Sequence, residues 1–260
     1  TIGSLYLGGG TPTILNARQL ERLLDGLHEA FDLGTCREIT VEAGRPETID
    51  SERLAVMAAY GVGRVSINPQ TMNDAVLAGV GRHHTGHDII ESYQLTRSMG
   101  GFIINMDLIA GLPGDTDAGL IDSVRQLIAL EPDNITLHCL ARKRGAPLRF
   151  GPRGLLPAET LDVCYDLLRR AGYGSYYLYR QKYIAGGLEN IGWARPGMVS
   201  HYNSCMMEEL CDTLALGAGG VTKLGTRSGG VVRRVTNPKY PREYIRGIDA
   251  IVTQKLGLTL

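Results

Sequence analysis

The sequence Gly8-Gly9-Gly10-Thr11-Pro12-Thr13 follows directly after an apolar stretch at residues 2–7. Three glycines at the end of a short apolar run give a backbone that can turn sharply and approach a ligand closely. A helix is predicted to begin at Asn16, because Gln19 three residues later completes a capping-box pattern. The glycine run therefore lies between a strand and a helix, which is where ligands bind in α/β folds.

Strands and helices are predicted to alternate from the start of the chain to residue 178. Short apolar or alternating runs indicate strands, and runs with apolar residues at helical spacing lie between them. Six strands are predicted, at residues 2–7, 38–42, 64–67, 102–109, 134–140 and 175–178. Repeated βα units with short loops imply a parallel sheet with right-handed crossovers. The sheet is expected to be either open and doubly wound or curled into a closed or partial barrel.

The last third of the chain has a different pattern. Residues 180–260 show no βα alternation and contain glycine clusters at 217–220 and 229–230. A smaller carboxy-terminal substructure is therefore predicted. The expected division is a βα region at residues 1–178 and a C-terminal extension at residues 179–260.

Composition excludes several classes of function. The 260 residues carry 27 Lys and Arg against 27 Asp and Glu, so the net charge is zero and no basic field is present to bind nucleic acid. No apolar run approaches the roughly 18 residues that a membrane-spanning helix needs. No signal peptide pattern is visible, so a cytoplasmic protein is expected, with neither nucleic acid nor membrane as a partner.

The cysteines are expected to be structural. Their number is odd and their spacing is scattered, which argues against a disulfide framework. No pair has the CxxC spacing of a zinc site, and no metal ligand is predicted. Small, buried, apolar side chains are the expected role. The five positions are Cys36, Cys139, Cys164, Cys205 and Cys211.

Polar residues stand at the ends of the predicted strands. Glu42 ends the second strand, Gln70 follows the third, Asp107 lies in the fourth and His138 in the fifth. In parallel α/β sheets, chemistry gathers at the carboxyl ends of the strands. Glu42 suits hydrogen bonds from a ribose or an amino group, with a surface salt bridge as the alternative. Gln70 offers a donor and an acceptor, with a bond to loop backbone as its alternative.

Asp107 and Arg82 are the sharpest candidates in this set. A carboxylate within the apolar run at residues 102–109 is costly unless it is paired or bound to a ligand. The alternative for Asp107 is a structural pair with a neighbouring arginine. Arg82 suits bidentate recognition of a carboxylate, with a solvated loop cation as the alternative. The adjacent histidines that follow it diverge, so no metal site is expected there.

These residue types together describe one kind of ligand. Glu42, Asp107 and Arg82 suit a zwitterion that carries a sugar, an ammonium and a carboxylate, and this description fits S-adenosylmethionine. The glycine turn can present free backbone N–H groups to an anion. It lacks the lysine of a phosphate-binding P-loop and the spacing of a dinucleotide fingerprint.

Several motifs, in order, resemble the radical SAM oxygen-independent coproporphyrinogen III oxidases, also called coproporphyrinogen dehydrogenases, and within them the HemZ type. The motifs are GGGTPT, VEAGRPETID, INPQTMND, GRHHT, INMDLIAGLPGDT and YYLYRQK. The resemblance implies a partial (β/α)6 TIM-like barrel without its first strand and with a C-terminal extension. It also implies S-adenosylmethionine and a [4Fe–4S] cluster as cofactors.

The implied reaction belongs to haem biosynthesis. A 5′-deoxyadenosyl radical removes hydrogen from two propionate side chains, and loss of carbon dioxide converts coproporphyrinogen III to protoporphyrinogen IX. The implied partners are a tetrapyrrole substrate and an electron donor. A haem-binding chaperone of the HemW type, without oxidase activity, is the alternative.

The resemblance also assigns residues. It implies contacts to S-adenosylmethionine from the glycine loop, from four polar side chains and from one backbone group. These are Gly9, Gly10, Thr11, Glu42, Gln70, Arg82, Asp107 and Leu140. Tyr179, Arg180 and Lys182 are candidates to contact propionates, with aromatic packing that closes the barrel as the alternative.

One departure from the family pattern is clear. The family holds its cluster with CxxxCxxC, in a loop before the GGGTPT strand, and the sequence has no such motif. The expected reason is a fragment without the first strand and cluster loop, and a degenerate paralogue is the alternative. The chain alone is therefore expected to bind no cluster and to be inactive as an oxidase.

Overall fold

The computed structural model describes residues 1–141, 158–180, 188–225 and 232–258. These residues form two compact units, Thr1–Tyr202 and Asn203–Leu260. The first unit contains the glycine loop and every strand end that the sequence marks as a candidate site. Among the described residues, every helix is too short or too polar to cross a lipid bilayer.

The first unit is built on one seven-stranded sheet, in the order β1-β2-β3-β4-β5-β7-β6. Each of the first five strands pairs in parallel with the next. The strands are β1 Ser4–Leu7, β2 Glu38–Glu42, β3 Arg64–Gln70, β4 Ile103–Ala110, β5 Asn134–Cys139, β6 Gly174–Tyr179 and β7 Asn190–Ala194. The predicted parallel α/β sheet is confirmed.

Helices connect the parallel strands. They are α1 Ala17–Ala30, α2 Ser51–Ala59, α3 Asp74–Gly79, α4 Gly86–Met99, α5 Asp117–Leu130 and α6 Ala158–Arg170. Short 3₁₀ turns at Pro12–Ile14 and Pro46–Thr48 precede α1 and α2. The predicted capping box is confirmed. The Asn16 side chain accepts a hydrogen bond from the Gln19 N–H, and the Gln19 side chain accepts one from the Asn16 N–H. A capping box of this kind fixes where a helix begins.

Alternate residues of the parallel strands point to opposite faces of the sheet. One face is apolar and buried, with Val41, Val65 and Met106 fully inaccessible to solvent. The opposite face, here called the polar face, carries residues such as Asn105 and Thr136. A doubly wound sheet buries both faces under helices. The polar face therefore favours the curled, half-barrel arrangement between the two that the sequence left open.

The sheet departs from the predicted rhythm at its far edge. Strand β7 runs antiparallel between β5 and β6, so β6 does not pair with β5. Strand β7 lies beyond the predicted βα region, and the sequence analysis did not predict it. The first compact unit continues to Tyr202, because β7 pairs on both of its sides. The division into a barrel domain and a C-terminal extension stays a prediction.

The second unit has its own small core. It contains the antiparallel strands β8 Val221–Leu224 and β9 Arg233–Thr236, with α8 Pro241–Arg246 and α9 Ile248–Leu256, and α7 His201–Met207 leads into it. Leu224, Val235 and Leu258 form its buried apolar cluster. The glycine cluster at residues 217–220 is held by Asn237, whose side-chain amide donates to the Gly217 carbonyl at 2.6 Å. The cluster at 229–230 lies outside the described residues.

Candidate functional site

Glu42 is held at the carboxyl end of β2 by two donors. The Tyr6 hydroxyl of β1 donates to Oε1 at 2.5 Å, and the Gly9 N–H donates to Oε2 at 3.3 Å. The Tyr6 ring stacks on Tyr202, with 4.1 Å between ring centroids. Burial, together with the charges of Glu42 and Asp107, raises the pKa of Tyr6, so the phenol keeps its proton and serves as a donor. The Glu42 carboxylate is thus fixed in place as an acceptor.

The glycine loop packs tightly at one residue and is open at the next two. A Cβ atom on Gly8 would lie 2.6 Å from Tyr6 Cε1 and 2.9 Å from Glu42 Cδ. Gly9 has φ of 99°, a left-handed conformation that favours glycine. A Cβ on Gly9 or Gly10 would meet nothing within 4 Å. The exposed backbone at these two glycines is therefore accessible beside the Glu42 carboxylate.

Asp107 lies on the polar face of β4 with a histidine as its partner. His138 Nε2 of β5 lies 3.7 Å from Asp107 Oδ2, and the Asn105 side-chain amide donates to Oδ1 at 2.9 Å. Burial acts to raise the pKa of Asp107, but His138 and Asn105 outweigh it and the pKa is lowered. Conversely, burial acts to lower the pKa of His138 and Asp107 outweighs it, so that pKa is raised. Among the residues that the structure describes, the partner of Asp107 is His138 and not the arginine of the sequence-based alternative.

Aromatic residues line the same face beside this pair. The Tyr179 ring meets His138 edge-on, with 6.5 Å between centroids, and stacks on Tyr177 at 6.4 Å. The Tyr177 hydroxyl lies 3.4 Å from Thr136 Oγ1. The site therefore combines two carboxylates, one imidazole and several phenols.

The remaining predicted residues lie at the same edge of the sheet. Gln70 ends β3 with φ of 72°, and its side-chain amide donates to the Asn68 carbonyl at 3.5 Å. Arg82 Nη1 donates to the Gly44 carbonyl at 3.4 Å, just beyond the end of β2. Burial and the nearby Arg45 lower the pKa of Arg82. Gln70 thus ends β3, and Arg82, in the loop between α3 and α4, contacts the segment that follows β2.

Two backbone positions complete the predicted set. The Leu140 N–H donates to the Ala110 carbonyl at 3.0 Å, so Leu140 follows the end of β5 beside the end of β4. The Thr11 carbonyl accepts from the Ile14 N–H at 2.9 Å and begins the short 3₁₀ turn. Contacts of the predicted residues with S-adenosylmethionine stay predictions. Lys182 lies outside the described residues.

The sequence assigned no site role to Tyr6, Tyr177 or Tyr202. Tyr6 lies two residues before Gly8 on β1, so it shares a face with the glycine that ends the strand. Tyr6 can be found from the sequence by applying this period of two to β1, the strand that precedes the glycine loop. Tyr202 enters the site through packing alone, and no local pattern marks it.

Two sequence comparisons establish the superfamily. Residues 2–127 match the family model of the Radical SAM superfamily. The chain is also 38% identical over 262 residues to the oxygen-independent coproporphyrinogen-III oxidase-like protein HemZ of Bacillus subtilis, across 98% of this chain and 52% of that protein. The chain belongs to the radical SAM superfamily. This radical SAM chain spans about half the length of the curated relatives it matches.

One further sequence relative and one solved structure are similar to the chain. The chain is 35% identical over 182 residues to the heme chaperone HemW of Lactococcus lactis, across 66% of this chain and 48% of that protein. The solved structure of coproporphyrinogen III oxidase, HemN, from Escherichia coli matches with a TM-score of 0.73 at 23% identity. The structural match covers 95% of this chain and 57% of the HemN chain. The expected radical SAM half-barrel fold is confirmed.

Radical SAM proteins take S-adenosylmethionine and a [4Fe–4S] cluster. The first of these fits the residues present. Glu42 ends β2 and Asp107 lies in β4, with β3 between the two strands, and both side chains offer acceptor oxygens suited to an ammonium and to ribose hydroxyls. The open backbone at Gly9 and Gly10 admits a ligand beside Glu42. These four residues are the groups that would hold the nucleoside and its amino-acid tail.

The cysteines do not fit a cluster, which is held by thiolates. Burial raises the pKa of the Cys139 and Cys164 thiols to about 11, so both remain protonated. The Cys36 thiol donates to the Glu38 carbonyl at 3.3 Å. Across the residues that the structure describes, metal-ligating side chains converge in one group, His87, Asp88 and Glu91, which contains no cysteine.

Proposed function

We propose that the protein acts in the radical oxidative decarboxylation of coproporphyrinogen III to protoporphyrinogen IX. The 38% identity to HemZ supports this class of chemistry over other radical SAM reactions. One observation carries the cofactor side of the proposal. The Glu42 carboxylate is fixed by Tyr6 and Gly9 beside an open glycine backbone, at the strand edge that also bears Asp107.

In this proposal each residue has a defined task. When bound, S-adenosylmethionine would supply the radical chemistry. Glu42 accepts hydrogen bonds from its ammonium, and the glycine backbone approaches its amino-acid end. Asp107 accepts from the ribose hydroxyls. Tyr177 and Tyr179 line the polar face with neutral phenols, which exclude water beside the nucleoside without adding charge.

Binding can be tested on the 260-residue chain. Titration calorimetry with S-adenosylhomocysteine is expected to give a one-to-one complex, and Glu42→Gln is expected to weaken it at least about tenfold, since it removes a charged acceptor. Glu52→Gln, a change on the exposed face of α2, is the control and should leave affinity unchanged. Equal binding by wild type and Glu42→Gln would exclude this site.

The reaction requires a protein that carries the iron–sulfur cluster, and an external electron donor. An anaerobic assay with coproporphyrinogen III, S-adenosylmethionine and a chemical reductant should produce protoporphyrinogen IX and carbon dioxide. Absence of both products from a protein with an intact cluster would contradict the oxidase assignment.

A haem-binding chaperone is the second candidate. The 35% identity to the HemW protein of Lactococcus lactis favours it. A haem titration of the full-length protein separates the two functions. Tight stoichiometric haem binding without turnover of coproporphyrinogen III would replace the oxidase assignment with the chaperone one.

A further inference from the structure

Asp107 and His138 form a carboxylate–imidazole pair on adjacent parallel strands. Asp107 stands opposite Thr136 in the β4–β5 register and His138 stands opposite Ile109, so the two side chains are diagonal neighbours on the polar face. Their side chains are only 18% and 27% exposed. No Lys or Arg within the described ranges forms an ion pair with Asp107, so the imidazole is its cationic partner there.

The groups around this pair are almost all neutral. Asn105 and Thr136 face Asp107 from β4 and β5, and Tyr177 and Tyr179 face it from β6. From β1, Tyr6 faces Asp107, and Tyr6 in turn binds Glu42, the other charged group of the site. A buried carboxylate among neutral groups stays ionised only with a counter-charge. His138 supplies that charge when its imidazole is protonated.

The hydrogen bonds at Asp107 do not use all of the acceptor positions of its carboxylate. An ionised carboxylate has about four acceptor positions, two on each oxygen. Asn105 occupies one position on Oδ1, and His138 faces Oδ2. The Thr136 hydroxyl also bonds the carboxylate, so one acceptor position remains for a hydroxyl of a ribose ring.

We propose that His138 is a positioning residue that holds Asp107 ionised and oriented so that its carboxylate accepts a hydroxyl of a ribose cis-diol. This inference rests on the proposed function, in which Asp107 contacts the nucleoside of S-adenosylmethionine. His138 itself does not touch the diol. Its effect is expected in the strength of diol recognition and in how that recognition depends on pH.

The pH dependence has a definite sign. The pKa of His138 is raised, so the imidazole is protonated below that value and loses its proton as pH rises through it. The pKa of Asp107 is lowered, so its carboxylate stays charged throughout the neutral range. Diol affinity is therefore expected to fall as pH rises through the raised pKa of His138, where the imidazole becomes neutral.

The test measures binding of two nucleosides to the 260-residue chain by titration calorimetry. 5′-Methylthioadenosine carries the diol without the amino-acid tail, and its 2′-deoxy analogue lacks one hydroxyl. Wild type is expected to prefer the diol by about tenfold or more, as for a hydrogen bond to a charged acceptor. His138→Gln, which keeps a donor without the charge, should reduce that preference severalfold and abolish its fall with rising pH.

Two controls separate the outcomes. His87→Gln changes an exposed histidine, 76% accessible, and should retain the wild-type pH profile. His138→Phe removes donor and charge and should lose more diol preference than His138→Gln. If wild type prefers the diol and both His138 variants keep that preference with an unchanged pH profile, the role of His138 is disproved, whereas the proposed site stands. If wild type binds neither nucleoside, the proposed site and this inference both fail.

Discussion

Arg64 and Glu38 form a buried ion pair at the amino ends of β2 and β3, with Arg64 Nε donating to Glu38 Oε2 at 3.0 Å. The two side chains are only 3% and 9% exposed. Glu38 also accepts from the Ser200 hydroxyl at 2.9 Å and from the Tyr202 N–H at 3.1 Å. This network holds the segment that places the Tyr202 ring against Tyr6. The segment at residues 200–202 therefore connects the amino ends of β2 and β3 with Tyr6, which binds Glu42.

Breaking this pair is expected to be costly. Glu38→Gln leaves the Arg64 charge buried without a counter-charge, a change that typically costs about 3–5 kcal/mol. Urea unfolding followed by circular dichroism measures the loss. Glu131→Gln is the matched control, because Glu131 is 71% exposed in its pair with Arg195, and an exposed pair contributes about 0–1 kcal/mol. Similar losses for the two variants would contradict the prediction.

The same pair predicts a pH dependence of stability. Burial acts to raise the pKa of Glu38, but Arg64 and the backbone N–H donors outweigh it and the pKa is lowered. A lowered folded-state pKa contributes stability above the unfolded value, about 4.3 for glutamate, and that stability disappears as pH falls through the folded value. Unfolding of wild type and Glu38→Gln at a series of pH values should give a difference that shrinks on acidification.

Tyr6→Phe tests the donor that fixes Glu42. The variant removes a hydrogen bond to a charged group, so a loss of about 1.5–3 kcal/mol in the free energy of unfolding is expected, together with weaker binding of S-adenosylhomocysteine. Tyr240→Phe is the control, since Tyr240 is 62% exposed. Its effect should stay within about 0.5 kcal/mol. Unchanged binding by Tyr6→Phe would show that Glu42 needs no fixing.

The glycine loop offers a matched pair of substitutions. Gly8→Ala forces a Cβ against Tyr6 and the Glu42 carboxyl group, so it should destabilise the fold by about 1–3 kcal/mol, as overpacking does. Gly10→Ala places its Cβ in open space and should leave the unliganded fold nearly unchanged. Gly10→Ala should nevertheless weaken binding of S-adenosylhomocysteine. Denaturation and calorimetry on both variants separate packing from ligand access.

Gly192 tests how β6 and β7 pack. A Cβ on this residue would overlap the buried Tyr177 ring on the neighbouring strand, whereas a Cβ on Gly174 meets nothing within 4 Å. Gly192→Ala is therefore expected to lower the unfolding free energy by about 1–3 kcal/mol, and Gly174→Ala is expected to be nearly neutral. Equal melting temperatures for the two variants would argue against this contact.

Local patterns predict the first five strands and the capping box because short-range physics determines them. Local patterns do not predict strand β7, because its five residues include Gly192 and its position depends on pairing with β5. They do not predict the partner of Asp107, for the same reason. Burial in an apolar run shows that Asp107 needs a counter-charge, but only the β4–β5 register identifies His138 as the residue beside it.

Because β7 runs opposite to its neighbours, the connection that enters it leaves β6 at Tyr179 and returns at Asn190, beside the end of β5. Elsewhere in this sheet a helix carries the chain back to the opposite edge before the next strand starts. Here both anchors of one connection stand where the ligand is expected. One edge of the sheet therefore holds both the proposed ligand groups and the two ends of the β6–β7 connection.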